Sequence, residues 1–301
     1  MVIHVVGNVC LDSSFRLARL PQPGETLNAE AVEEGLGGKG ANQAVAAART
    51  GAAVVLWTAV GNDVAGERMR DLLTTELDSL RLSCLDRPSD RSVILVDDKG
   101  ENLIVTAAAC ASHFDPVKDD ALAATWKSGD VLLMQGNLSV AATDDCLRKA
   151  KAGGLFTILN PSPLPEAGLE MRTVSLLVAN RPETERLTGE RDPQAAALRL
   201  RALGVEQAVI TLGGEGALLH GNEGSVHVPA RKTDVIDTSG AGDCFAGTLA
   251  GLLHRGVPLV KAAEAATAAA ALAVSRVGTL AAFPTRAELS ALMTSLKLDN
   301  A

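Results

Sequence analysis

Aromatic side chains are scarce in this chain: they make up 2% of its 301 residues, with two Trp, five Phe and no Tyr. A core with so few rings must be filled by Ala, Val, Leu and Ile, which favours aliphatic strands and Ala/Gly-rich helices in close contact. The five cysteines (Cys10, Cys84, Cys110, Cys146, Cys244) include no C-x-x-C pair and are odd in number, so reduced thiols are expected. The five histidines (His4, His113, His220, His227, His254) lack metal-ligand spacing. No apolar run reaches the roughly 18 residues of a membrane span, and residues 1–6 carry no basic leader region, so a cytoplasmic protein with no membrane contact is expected. Lys and Arg total 28 against 36 Asp and Glu, a net charge of -8, and the longest basic run is Arg231-Lys232. Without a clustered basic face, nucleic acid is excluded as a partner, and phosphate would have to be held largely by backbone rather than by arginines. Low-complexity linkers and internal repeats are also missing, so residues 1–301 are expected to form one domain.

What is present is an alternation. Continuous apolar runs at residues 2–7, 53–60, 130–135, 155–160, 174–180 and 207–212 read as buried strands. Helical patterns lie between most of them, at 40–49, 64–77, 116–126, 140–151 and 194–203. This is the signature of an α/β protein with a mostly parallel sheet and helices on both faces. Two stretches depart from it. Residues 11–20 with 26–34, and 92–96 with 102–106 around a turn at 97–101, read as hairpins that could form a small second sheet. Another hairpin joins 217–220 to 226–228, and the last part of the chain is helical at 242–254, 259–274 and 285–296.

Two glycine-rich loops carry the chemistry. In Asp237-Thr238-Ser239-Gly240-Ala241-Gly242-Asp243, small residues run into an apolar helix, leaving backbone N–H groups at a helix N-terminus to receive an anion. Asp243 places a carboxylate beside that anion, suited to act as a base for a hydroxyl attacking phosphorus; a plain N-terminal helix acid is the other reading. The second loop, Gly35-Leu36-Gly37-Gly38-Lys39-Gly40-Ala41-Asn42-Gln43-Ala44, satisfies G-x-G-x-x-G, which raises a nicotinamide-dependent oxidoreductase as an alternative. The run before it is polar rather than a buried strand, and Lys39 is followed by Gly40 rather than Ser or Thr, so neither a dinucleotide fingerprint nor a Walker loop is well matched. Glycines that let backbone approach a polyhydroxyl ligand, with Asn42 hydrogen-bonding to it, fit better.

Residues 37–44 and 237–243, in this order, resemble the N-terminal and C-terminal signatures of the ribokinase (PfkB) family of carbohydrate kinases. Residues 7–12, 23–26, 61–63, 180–183, 211–213 and 274–284 extend the resemblance over nearly the whole chain. It implies a doubly wound, mostly parallel sheet with helices on both faces, plus a small β-sheet lid with strands from about 11–34 and 91–107. It also implies an ATP-dependent kinase that transfers the γ-phosphate to a hydroxymethyl group of a small sugar. Position by position, Asp243 would be the catalytic base and Gly240, Ala241 and Gly242 the anion hole. The sugar would be bound by Cys10, Asp12, Gly37, Gly38, Lys39, Asn42, Asn137 and Asp243, with Lys39 outside the reacting centre. Asn180 and Glu183 match an N-x-x-E pattern that organises Mg²⁺ and phosphate, Glu183 through water; first-turn helix acids are the alternative. Thr211, Gly213 and Gly216 would line the nucleotide phosphates, and Ala266 and Thr267 the adenine, where small residues suit helix packing equally. A monovalent cation, K⁺, would be held by Asp237, Ser239, Ala273 and Gly278, with Ala282 standing where many relatives offer a Ser. A homodimer through the lid is expected as well.

The chain departs from the family pattern at two sugar contacts, with Cys10 in place of an Asn and Asn137 in place of a Glu. A thiol is a weak hydrogen-bonding group, so the hydroxyl that the Asn would hold loses its partner or is missing. A pentose such as ribose or deoxyribose, a ketohexose, or a nucleoside all remain open. So does a non-catalytic sugar or nucleotide sensor on the same fold, although a pure binder would not need Asp243. Asp63 is expected to cap the helix that follows it.

Overall fold

A computed structural model describes residues 1–98, 102–118, 122–165 and 168–298. The chain begins with β1 (Ile3–Val6), leaves the main sheet through β2 (Cys10–Leu17) and β3 (Ala31–Gly37), and returns through α1 (Lys39–Arg49) to β4 (Val54–Gly61). There follow α2 (Val64–Glu76), β5 (Leu80–Leu85), β6 (Arg91–Asp97), β7 (Asn102–Ala107), β8 (Val131–Gln135), α3 (Val140–Ala152) and β9 (Phe156–Asn160). The next elements are β10 (Leu176–Asn180), α4 (Arg181–Thr188), α5 (Pro193–Leu203), β11 (Gln207–Thr211), β12 (Ala217–Gly221) and β13 (Gly224–Val228). The chain closes with α6 (Ala241–His254), α7 (Leu259–Val274) and α8 (Arg286–Ser295).

Nine strands form the main sheet in the order β13-β12-β11-β10-β9-β8-β1-β4-β5. Every neighbouring pair from β11 to β5 is parallel, and β12 and β13 add an antiparallel edge. Because successive side chains point to opposite faces, each central strand serves two cores. Leu133, Ile158, Leu176, Val178 and Val209 join the core shared with α1, α2, α6, α7 and α8, whereas Leu132, Met134, Leu159, Leu177 and Ala179 face the core under α3. The chain winds from β1 outward to β5, then crosses to β8 and winds the other way. The reversal opens a crevice beyond the C-terminal ends of β1 and β8, where ligands of such sheets bind.

The second sheet has the order β3-β2-β6-β7, two antiparallel hairpins joined by parallel pairing of β2 with β6. Asp63 caps α2 by accepting the Gly66 N–H at 2.8 Å, and it also accepts the Ser89 N–H at 2.9 Å and the Ser89 hydroxyl at 2.6 Å. Asp90 accepts the N–H groups of Cys110 and Ala111 at 2.7 and 3.1 Å. These two carboxylates pin the chain where it enters and leaves β6 and β7.

Three expectations change. β3 runs to Gly37, not to residue 34, because Cys10 pairs with Gly37 in the lid. Gly35 and Gly37 therefore belong to an antiparallel lid strand, and the strand–turn–helix context of a dinucleotide fingerprint is not met. Among the described residues of 116–126 no α-helix forms: Asp115 starts a turn, its side chain accepting the Val117 N–H at 3.3 Å, and Ala123–Thr125 is a 3-10 turn, with 119–121 outside the described residues. The loop at 97–101 likewise lies partly outside them, at 99–101. β5 was not anticipated, since its Leu-Arg-Leu-Ser-Cys-Leu alternates at a sheet edge instead of forming an apolar run. Among the described residues no helix is long and apolar enough to cross a membrane.

Candidate active site

The N-terminus of α6 is open. Gly240 caps it with φ +73°, and a Cβ there would lie 2.5 Å from Thr279 Cγ2 and 2.9 Å from the Phe283 ring, so this residue has to be glycine for both reasons. The Ala241 N–H bonds to Thr238 O at 3.3 Å and the Cys244 N–H to Gly240 O at 2.8 Å. The N–H groups of Gly242 and Asp243, between them, and of Gly240 before them have no acceptor among the described residues, and a Cβ on Gly242 would meet nothing within 4 Å. Free donors at the positive end of a 14-residue helix are suited to receive an anion. The N-terminus of α1 is different, because Asn8 fills it: its side chain accepts the Gly40 N–H at 3.4 Å and its carbonyl the Ala41 N–H at 3.0 Å.

Asp243, 4% exposed, lies where α1 and α6 meet. Asn42 donates to its Oδ2 at 3.1 Å and Gln43 to its Oδ1 at 2.9 Å. A carboxylate has about four acceptor positions, so two amide donors leave room for a substrate hydroxyl. Lys39 Nζ stands 3.7 Å from Asp243 Oδ1. Lys39, expected outside the reacting centre, is the first residue of α1, and its side chain reaches over this carboxylate.

The sugar-side residues gather at the base of the lid. Asp12 Oδ2 is so close to Gly37 that a Cβ there would be 1.9 Å away, and a Cβ on Gly38, at φ +95°, would strike the backbone of residues 8–10. Glycines are thus needed for the lid strand to touch the loop after β1. The Cys10 thiol donates to Asp12 Oδ1 at 2.9 Å. Burial, and then the Asp12 charge, push the Cys10 thiol well above its ordinary range, so it stays protonated. Burial also raises the Asp12 carboxyl, with the charge of Asp243 adding to the effect. The lid alternates: Asp12, Ser14, Arg16, Ile94 and Val96 face a cavity of about 330 Å³ that also touches Asp237 and Ser239, while Phe15, Leu17, Val93 and Leu95 line a different hollow. Asn137 follows β8 at the same end of the sheet, and its Oδ1, like Asn42 Oδ1, is buried without a partner among the described residues.

On the other side of the α6 N-terminus is a cavity of about 890 Å³, lined by Asn180, Thr211, Gly213, Gly216, Gly242 and Thr267 among others. Thr267 Oγ1 is buried and unpartnered there. Ala266 does not reach this cavity; it is wholly buried between helices in the core, since neighbouring helix positions point about 100° apart. Thr267, Ala270, Ala271 and Val274 form the wall instead, a helical face whose spacing could have been read from the sequence. Arg181, Arg231 and Lys232 also line it, Arg181 paired with Glu215 at 3.0 Å. Asn180 and Glu183 form a capping box on α4: Asn180 Oδ1 accepts the Glu183 N–H at 2.8 Å and Glu183 Oε2 the Asn180 N–H at 2.9 Å. Glu183 is not part of the cavity wall, but its Oε1 lies outside the box and is open to water.

Asp237 ties the loop before α6 to the loop after α7, accepting the Ser239 N–H at 2.8 Å and the Gly278 N–H at 2.9 Å. The Val274 carbonyl accepts the N–H groups of Ile236 and Asp237 at 2.8 and 3.2 Å, which brings Ala273 to the same place. The Asp237 carboxylate keeps spare acceptor capacity, and a hard oxygen donor of this kind suits a monovalent cation.

Residues 3–286 match the model of the pfkB family of carbohydrate kinases. The chain is 31% identical over 294 residues to a ribokinase of Haemophilus influenzae, covering 95% of this chain and 96% of the relative. It is also 31% identical over 295 residues to a deoxyribokinase of Salmonella typhi, covering 94% and 96%. The crystal structure of a ribokinase from Cryptococcus neoformans in complex with ADP superposes with a TM-score of 0.82 at 29% identity, covering 97% of this chain and 98% of that one.

Proposed function

The chain belongs to the PfkB family of carbohydrate kinases, and from that premise we propose that it phosphorylates the hydroxymethyl group of a pentose, ribose or 2-deoxyribose, at the site built around Asp243. It is an ATP-dependent sugar kinase with the ribokinase fold. One juxtaposition carries the site assignment: the Asp243 carboxylate and the free N–H groups of α6 lie between the lid base with Asp12 and Asn42 on one side and the cavity of about 890 Å³ on the other.

In this reading Asp12, Gly37, Gly38, Asn42 and Asn137 orient the sugar, with Asn42 Oδ1 and Asn137 Oδ1 accepting from its hydroxyls. Asp243 takes the proton of the hydroxymethyl group as that oxygen attacks the γ-phosphorus, the bond from that phosphorus to the β–γ bridging oxygen breaks and ADP leaves. The N–H groups of Gly240, Gly242 and Asp243 stabilise the charge on the transferring phosphoryl group, with Ala241 in the turn that exposes them. Lys39, near Asp243, adds positive charge on the same side. Thr211, Gly213 and Gly216 border the nucleotide phosphates, and Thr267 the base. Glu183, with Asn180, would hold Mg²⁺ through water by the oxygen outside the capping box, and the ion would screen the phosphates of ATP. Asp237, Ser239, Ala273 and Gly278 would hold K⁺.

The chain is read as one domain that works in the cytoplasm as a homodimer. The lid exposes Val32, Val93, Leu103, Ile104 and Val105, an apolar group that a second copy would cover. Light scattering giving the mass of one chain at micromolar concentration would refute the dimer.

ADP release measured with a panel of ribose, 2-deoxyribose, ketohexoses and nucleosides tests the substrate reading. Turnover is expected with one or both pentoses. Turnover with a nucleoside alone would make the chain a nucleoside kinase, and turnover with none of them would point to a sensor.

A further inference from the structure

Asp243 is the end of a buried chain of side-chain amides that crosses four elements. Gln135, at the end of β8, donates through Nε2 to Gln43 Oε1 at 3.0 Å. Gln43, on α1, donates through its own Nε2 to Asp243 Oδ1 on α6 and to Asn160 Oδ1 at the end of β9, both at 2.9 Å. Asn160 then donates to the Val178 carbonyl at 2.8 Å. Gln43 is 0% and Gln135 1% exposed, so water does not replace these contacts.

The direction of the chain follows from its charged end. An ionised carboxylate only accepts, so Gln43 has to turn its NH₂ toward Asp243, its carbonyl then needs a donor, and Gln135 supplies one. The Gln135 Oε1 is left over: it is buried without a partner among the described residues, against Gly7, where a Cβ would be 2.0 Å from it. An unsatisfied oxygen is left at the far end, while the donor that Gln135 gives to the Gln43 carbonyl leaves the Gln43 NH₂ turned to Asp243. Close helix packing makes the reach possible, because a Cβ on Gly247 of α6 would lie 2.4 Å from the Gln43 carbonyl.

We propose that Gln43 is a positioning residue for phosphoryl transfer, holding the Asp243 carboxylate in line with the anion hole, and that Gln135 in turn orients Gln43. The inference rests on Asp243 being the base. Asn42 and Lys39 also touch Asp243, but it is Gln43 that ties it to the sheet, through Gln135 and Asn160.

The test compares Gln43→Met, Gln43→Glu and Gln135→Met by steady-state kinetics, ATP binding and thermal unfolding. Gln43→Met should lower kcat about 100-fold with the ATP dissociation constant within about twofold of the parent. Gln43→Glu, nearly the same shape but with a second carboxylate facing Asp243, should lose at least as much, and Gln135→Met, one step removed and the variant that decides if α1 substitutions unfold the protein, should lose less. In an Asp243→Asn background, Gln43→Met should cause no further fall. Full kcat in both Gln43→Met and Gln135→Met overturns the proposal. So does a fall in kcat matched by loss of ATP binding and of folded protein, or an undiminished effect in the Asp243→Asn background. If Asp243→Asn itself keeps full activity, the base assignment fails instead, which is a separate result.

Discussion

Cys10 gives its thiol hydrogen to Asp12, with Sγ 2.9 Å from Oδ1, and Ser92 Oγ lies 3.4 Å from the same sulfur. The thiol is therefore an internal partner of the lid carboxylate. A sugar hydroxyl that an amide at this position would bind has only a weak, already engaged group to meet.

Cys10→Asn should accordingly favour the sugar with more hydroxyls. The ratio of kcat/KM for ribose over that for 2-deoxyribose is expected to rise by about tenfold or more, since sites that hydrogen-bond a hydroxyl discriminate strongly against its absence. Competition between the two sugars measures the ratio directly, and an unchanged ratio would remove Cys10 from the specificity site.

Gly240 and Gly242 should separate stability from catalysis. At Gly240 a methyl group meets Thr279 and Phe283 at positive φ, so Gly240→Ala is expected to destabilise by about 1–3 kcal/mol in urea unfolding. A methyl on Gly242 meets no protein atom, so Gly242→Ala should leave stability nearly unchanged while kcat falls because the phosphoryl group needs that space. Equal effects on stability would contradict the open-space reading.

Acid sensitivity should run through Glu288. Its pairing with Arg276, at 2.5 Å, and the Thr285 N–H hold its carboxyl down at about 2, against an ordinary 4.5. The unfolded chain thus binds the proton more readily, and the stability this carboxylate contributes is present above pH 4.5 and is lost as pH falls toward 2. Glu288→Gln should lower the urea midpoint at pH 7 and weaken its decline between pH 5 and pH 3; a parallel decline in both proteins would exclude Glu288 as a source.

Potassium should act through Asp237. Asp237→Asn keeps one acceptor for the backbone but loses the charge, so stimulation of turnover by KCl, relative to a bulky cation at equal ionic strength, is expected to vanish. Stimulation that persists at the parent level would place the cation elsewhere.

The parallel sheet was legible because its strands are buried on both faces and stand out as apolar runs, and the lid hairpins because they break that pattern. β5 was not, since an edge strand need bury only alternate residues. The apolar spacing of 116–126 looked helical, yet the turn set by Asp115 lets Val117 and Leu122 reach the core without a helix. Gln43 stands beside Asn42 in an alanine-rich helix, and two adjacent amides in an otherwise apolar segment are the signal that marks it.

By itself the sequence determined the fold class, the two glycine loops and the place of Asp243 at a helix start, because periodicity, glycine and a helix-start carboxylate are local properties of the chain. Tertiary structure alone decided what those residues touch. Asn42 and Gln43 meet Asp243 across 201 and 200 positions, Lys39 comes to its carboxylate, Thr267 rather than Ala266 faces the cavity, and Cys10 turns to Asp12. Such contacts depend on how closely α1 and α6 pack and on the direction in which each side chain leaves its helix, and neither is encoded in the spacing of a motif.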